Sequence, residues 1–242
     1  MAFDKNSNGF TFGFATVLVI LVGVLLAFSY LKLKPYQQEN ERREKMQNIL
    51  ASMKVDVVRD DAPARYESSL VNKFILNSEG KVQEGGDAFE VDVLKQYKEW
   101  KAGARAKEDI QYPLFQCKEG EQLLYVIPLV GTGLWGPIWG YISVEEDGNT
   151  VFGSTFDHQG ETPGLGAEIT MDFFEDQFNG KLLEISEGIT ANNQYISVLK
   201  AGKAAGRNDA VDGITGGTIT SDGVDEMLER TLAVYDNYFE SR

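Results

Sequence analysis

Leu123-Leu-Tyr-Val-Ile-Pro-Leu-Val-Gly-Thr-Gly-Leu-Trp-Gly-Pro-Ile-Trp-Gly-Tyr-Ile-Ser-Val144 places two strand-length apolar runs, Leu123 to Val130 and Trp139 to Val144, on either side of a glycine-rich connection. A third run, Val151 to Phe156, follows the turn signal Asp147-Gly-Asn. Short β-branched and aromatic runs punctuated by Gly and Asp-Gly predict antiparallel strands joined by hairpins. Within the stretch, Gly131-Thr-Gly-Leu-Trp-Gly136 matches the spacing of a dinucleotide-binding loop, but that loop needs a helix directly after it. Pro137 and the continuing strand remove the helix, and with it the positive helix end that would hold a pyrophosphate.

Working outward, a strand is expected at Leu70 to Leu76, a turn at Asn77-Ser-Glu-Gly and a helix over 91–107 with Val91, Leu94, Tyr97 and Lys98 near one stripe. On the other side come a turn at Glu161-Thr-Pro-Gly-Leu-Gly166, a helix over 170–179 and a strand from Tyr195 to Lys200. The chain closes with a helix from Ser221 or Asp222 to about Glu240, where Val224, Leu228, Thr231, Tyr235 and Phe239 recur at three and four. The fold class is α+β, an antiparallel sheet with flanking helices.

From Phe10 to Leu31 no residue is charged, and about 22 residues at 1.5 Å rise cover a hydrocarbon core of about 30 Å. The run is longer than a signal-peptide core and lacks a small-x-small cleavage site, so it predicts an uncleaved single span. The organisation expected is a tail over 1–9, a transmembrane helix over 10–32, a stalk over 33–54 and a domain over 55–242. Pro35 stiffens the exit from the span, and residues 37–54 form an amphipathic helix with Met46, Ile49, Leu50 and Met53 on one side. The span carries no acid or base, so alone it provides no ion path. Lys32, Lys34, Arg42, Arg43 and Lys45 follow it, and by charge counting they would keep the large domain in the cytoplasm.

Net charge is −14, and residues 46–242 hold 17 Lys/Arg against 33 Asp/Glu. A surface so acidic repels phosphate backbones, which excludes nucleic acid as a partner. Cys117, the single cysteine, reads as a small packed residue in a strand-like run. His158 has no companion at metal-ligand spacing, and no serine sits in a nucleophile motif. Two glycine-rich stretches remain. In Glu161-Thr-Pro-Gly-Leu-Gly166, Gly164 and Gly166 permit close approach of a flat ligand. In Asp212-Gly-Ile-Thr-Gly-Gly-Thr-Ile-Thr-Ser221, outward amides just ahead of a helix favour an anion, and a phosphate is the natural one.

Together with the Ile127 to Tyr141 run, Gly160-Glu-Thr-Pro-Gly-Leu-Gly-Ala-Glu168 and the amino-terminal span, this late threonine motif resembles the C-subunit family of bacterial Na⁺-translocating NADH:quinone reductases. The homologous G subunits of Rnf complexes share the motif and anchor, but the long Ile127 to Tyr141 run favours the former. The resemblance implies covalent FMN on Thr218, transferred from FAD by a separate magnesium-dependent flavin transferase with loss of AMP. Asp212 and Thr215 then match the motif's aspartate and middle Ser/Thr, with Gly216 and Gly217 before the acceptor. Gly217 departs from the family's usual alanine. Thr215 and Thr220 are expected as phosphate donors, Glu161, Thr162, Gly164, Leu165 and Gly166 as the border of the flavin ring, and Trp135 in its support. The resemblance also implies a single-pass inner-membrane protein with a periplasmic domain, against the charge count. Its partners would be the complex's other subunits, which oxidise NADH, reduce quinone and export Na⁺, together with the transferase and membrane lipid.

Overall fold

The computed structural model describes residues 7–183 and 195–242. Two units separate at residues 45 and 46. The first consists of most of helix α1 (Asn8–Ser52), whose apolar window has mean hydropathy 2.6 and is long and apolar enough to cross a membrane. Of the tail expected over 1–9, residues 1–6 lie outside the described residues, and α1 begins at Asn8. The separate stalk helix expected after Pro35 is instead continuous with the span. An interior proline removes one backbone hydrogen bond, but the surrounding Leu, Lys, Gln and Glu favour helix and carry it through.

The second unit is built on a six-stranded antiparallel sheet in the order β2-β1-β3-β4-β5-β6. Its strands are β1 (Leu70–Leu76), β2 (Val82–Gln83), β3 (Tyr112–Glu119), β4 (Gln122–Thr132), β5 (Pro137–Val144) and β6 (Val151–His158). Helix α2 (Ala62–Ser69) precedes β1, and α3 (Val93–Lys101) lies between β2 and β3. Strand β4 is buried without interruption from Leu124 to Gly131, a pattern more usual in parallel sheets. The reason is that helices cover both faces. Tyr125, Ile127 and Leu129 point into one core with Val224, Met227 and Leu228 of α5 (Thr218–Glu240). Leu124 and Val126 point into the other with Met46, Ile49, Leu50 and Met53, so the stripe expected on the stalk is core.

Pro128 survives inside this strand for a geometric reason. The turn bond from Gly133 N–H to Gly136 C=O (2.8 Å) sets the ladder phase, and counting back makes Pro128 and Tyr141 a non-hydrogen-bonded pair. The missing N–H therefore points away from β5, toward the side where β3 has already stopped pairing at Phe115 and Val126.

After β6 the chain makes a 3-10 turn (Gly166–Thr170), the short α4 (Asp172–Glu175) and another 3-10 turn (Asp176–Phe178), in place of the single helix expected over 170–179. This segment turns inward to cover the edge of β6. Phe174 and Phe178 pack on Phe156, and the Glu175 carboxylate accepts the Phe156 N–H (2.6 Å). A parallel pair, β7 (Ser197–Leu199) and β8 (Ala210–Asp212), then leads into α5. The helix expected over 91–107 is shorter, because Gly103 turns out of the helix with φ +71 after Asp92 has capped its start.

Burial pushes the Glu175 carboxyl up to about 7, so across the acidic range the folded protein holds a proton that the unfolded chain has released. The stability it contributes is complete below the ordinary carboxylate range and is lost as pH rises through about 7. Glu175→Gln keeps an acceptor for Phe156 without the charge. It should raise the unfolding temperature at about pH 8.5 and leave it unchanged at about pH 4.5, read by thermal unfolding across pH.

Candidate functional site

The site forms where the start of α5 meets the end of β4. Gly131 and Gly223 allow the contact: a Cβ on Gly131 would stand 2.9 Å from the Gly223 carbonyl oxygen, and one on Gly223 would run into the Thr132 carbonyl. Helix and strand thus approach at backbone distance. The helix itself begins at Thr218, three residues before its expected start, with Gly217 as N-cap and no side chain capping it. Ser221, one of the two expected first residues of the helix, accepts the Ile214 N–H on its hydroxyl (2.9 Å) and holds the preceding loop. The first α5 amide with a helical acceptor is that of Ser221, bonded to the Gly217 carbonyl (2.9 Å). Those of Thr218 and Ile219, both exposed residues, precede the ladder at the positive end of a 23-residue helix.

Glu161, 5% exposed, ties three segments together at this end. Its Oε1 accepts the Trp135 N–H (2.8 Å) from the β4–β5 turn, and its Oε2 accepts the Thr220 hydroxyl (2.6 Å). Its own N–H donates to His158 Nδ1 (3.1 Å), which gives the lone histidine a structural role. Glycine makes the room: a Cβ on Gly133 would lie 2.7 Å from Oε1, and one on Gly166 would collide with Oε2 and the Thr220 hydroxyl. The rest of the loop turns on the Thr162 carbonyl, which accepts from Leu165 and Ala167, while Gly164 at φ +77 donates to Glu168 (2.8 Å). Leu165, 41% exposed, packs against Gly216, where a Cβ would come within 2.8 Å of its Cδ2.

Thr218 is exposed and lines a cleft of about 510 Å³ together with Thr215 and Gly216. Val198, Leu199, Lys200 and Ala201 also line it. That stretch is fixed to α5 by Asp225, whose carboxylate accepts the Val198 N–H (2.6 Å) and whose pKa burial raises. A hydroxyl, open amides and a helix terminus at one end of a roomy cleft suit a phosphate, and the aliphatic Val198, Leu199 and Ile214 suit a flat ring beyond it. The donor set therefore fits a flavin mononucleotide. Among the described residues there is no group of three or more metal-ligating side chains.

Residues 133–233 match the FMN-binding domain family. The C subunit of the Na⁺-translocating NADH-quinone reductase of Haemophilus ducreyi is 28% identical over 94% of this chain and 90% of that protein. The crystal structure of the corresponding protein from Parabacteroides distasonis aligns at 43% identity and TM-score 0.74, covering 87% of this chain and 98% of that one. This chain belongs to the C-subunit family of Na⁺-translocating NADH-quinone reductases. A Shewanella oneidensis NqrC structure, at 24% identity and TM-score 0.68, shares the fold.

Within this NqrC-family domain, the expected site residues divide. Thr218, Thr215 and Gly216 line one cleft, and Gly217 packs beneath them on Ile214 and the Gly166 amide. Thr220 does not serve as a phosphate donor as expected, because it is 1% exposed and its hydroxyl proton is given to Glu161. The Asp212 carboxylate accepts the N–H groups of Lys203 and Ala204 (both 2.8 Å), so it shapes the loop after β7. Trp135 contributes its backbone N–H, while the residue is 67% exposed and is not among those lining the cleft. Lys200 and Leu199 were missed, since nothing in sequence links a short strand to a threonine eighteen residues on. Cys117 is fully buried, its thiol pushed up to about 12 by burial, in keeping with a packed residue.

Glu161→Ala strands two donors and should cost about 1–3 kcal/mol for each in denaturant unfolding. Thr220→Ser, which keeps the hydroxyl, should unfold like the parent, and Thr220→Val should fall between.

Proposed function

We propose that Thr218 carries FMN through a phosphodiester and that the chain is a membrane-anchored electron carrier within the sodium-translocating reductase. The observation behind this reading is the division of labour between two threonines. The Thr218 hydroxyl is exposed at an uncapped helix terminus on the wall of the cleft, whereas the Thr220 hydroxyl is buried against Glu161. Loading would form a bond from Thr218 Oγ to the FMN phosphorus of FAD and break the bond to AMP, the threonine proton leaving as AMP departs. The remaining single negative charge would lie at the start of α5, beside the amides of Thr218 and Ile219, where the helix dipole favours it. The loading enzyme would be a flavin transferase, and the resemblance supports a periplasmic domain on an inner-membrane anchor, which the charge after the span does not forbid for a large domain.

When bound, the flavin supplies one- and two-electron chemistry, and the protein's part is orientation and burial. On this reading Leu199 and Ile214 would exclude water from the ring, Gly216 at φ +79 would let the loop close on it, and Lys200 would face its polar edge. NADH oxidation, quinone reduction and Na⁺ movement would belong to the assembled complex, since Phe10 to Leu31 holds no Asp, Glu, Lys, Arg or His.

Co-expression with a flavin transferase, followed by denaturing electrophoresis, should give flavin fluorescence on the chain at about one flavin per protein. Thr218→Ala should abolish it and Thr218→Ser should retain it. Fluorescence persisting in Thr218→Ala would refute the assignment, and its absence from the parent would favour a cofactor-free anchored module.

A further inference from the structure

The first turn of α5 carries Thr218 without the usual means of staying wound. Gly217 at the N-cap has no side chain to offer, no acid lies in the first turn, and three of the five residues 213–217 are glycine. Helix starts of this kind fray, because their first amides have no intrahelical acceptor. A side-chain cap would correct that, but it would occupy an amide at the end best suited to an anion.

Here the first turn is fastened from outside the helix. Thr220, 1% exposed, donates its hydroxyl proton to Glu161 Oε2 (2.6 Å). Glu161 is itself fixed, by the Trp135 N–H on Oε1 (2.8 Å) and by its own N–H on His158 Nδ1 (3.1 Å). The surroundings of the bond are close-packed: a Cβ on Gly217 would stand 3.1 Å from Ile214 Cβ and 3.2 Å from the Gly166 amide nitrogen. At 3.6 residues per turn, Thr218 and Thr220 point about 160° apart around the helix, so Thr220 held inward keeps Thr218 outward. Ser221 adds a second tie, to the Ile214 N–H of the adjoining loop (2.9 Å). The link to Glu161, fifty-nine residues back, reaches further, to the β4–β5 hairpin through Trp135.

We propose that Thr220 and Glu161 are positioning residues for the flavin phosphate. Their hydrogen bond keeps the first turn of α5 wound without capping it, so that a phosphate on Thr218 Oγ meets the Thr218 and Ile219 amides in one fixed geometry. A phosphodiester on a threonine oxygen has several rotatable bonds, and the orientation of the flavin in the cleft then depends on how firmly that end is seated. Both residues act through Thr218, and the inference rests on the reading of Thr218 given above.

The test compares Thr220→Val and Thr220→Ser with the parent in the full chain, before and after loading by a flavin transferase. Valine keeps the volume and removes the hydroxyl, while serine keeps the hydroxyl and removes the methyl. In the unloaded chain, amide hydrogen exchange at residues 218–222 should be about tenfold faster in Thr220→Val, with β3 and β4 unchanged, and near the parent rate in Thr220→Ser. In the loaded chain, read per attached flavin, flavin fluorescence anisotropy should fall and the phosphorus NMR resonance should move toward that of a free phosphodiester in Thr220→Val, and both should recover in Thr220→Ser. The confinement of the exchange effect to the first turn separates positioning from a general loss of stability. Thr220→Val matching the parent in exchange and anisotropy overturns the proposal, and so does Thr220→Ser behaving like Thr220→Val. A parent that takes up no flavin overturns the Thr218 reading and the phosphate role together, whereas an attached flavin indifferent to Thr220 overturns this inference alone.

Discussion

The Glu161 carboxylate holds the site together. It is buried and, among the described residues, has no cation bonded to it; one backbone N–H from the β4–β5 turn and one hydroxyl from the first turn of α5 hold it. Hydrogen bonds to an ionised acceptor are about twice as strong as neutral ones, and a buried carboxylate cannot give them up without a large desolvation cost. The hairpin, the loop after β6 and α5 are therefore locked to one oxygen pair. Gly133 and Gly166 are glycines because the carboxylate fills the space a side chain would need.

Around that lock, the backbone contact between Gly131 and Gly223 sets how deep α5 lies on the sheet. Val224, Met227 and Leu228 then reach the core, each contributing about 1.5–3 kcal/mol by burial, which holds the helix despite its glycine and threonines. The consequence appears at the other side of the same turn. With Thr220 drawn inward, the i−2 residue Thr218 faces out, and the open amides lie beside it.

Acids dominate the charge of the domain. Arg230 of α5 is bonded to Glu226 and stacked on the Tyr97 ring, so it fastens α3 to α5.

Much of this was written locally in the chain. The Leu123 to Val144 stretch dictated a hairpin through its apolar runs and glycine turn, the apolar segment dictated a span, and the threonine motif marked the helix terminus; these are short-range properties of backbone preference and hydrophobic pattern. Local signals misled where a side chain found a distant partner. Residues 170–179 looked like one helix but break to cover the edge of β6, and Thr220 looked like a phosphate donor until Glu161, fifty-nine residues away, took its proton. Sequence alone thus determined which elements form and which loop is special. Only tertiary structure decided that the Thr220 hydroxyl is buried while Thr218 is exposed, and that Leu199 and Lys200 line the same cleft as Thr218, because those facts depend on groups brought together by packing.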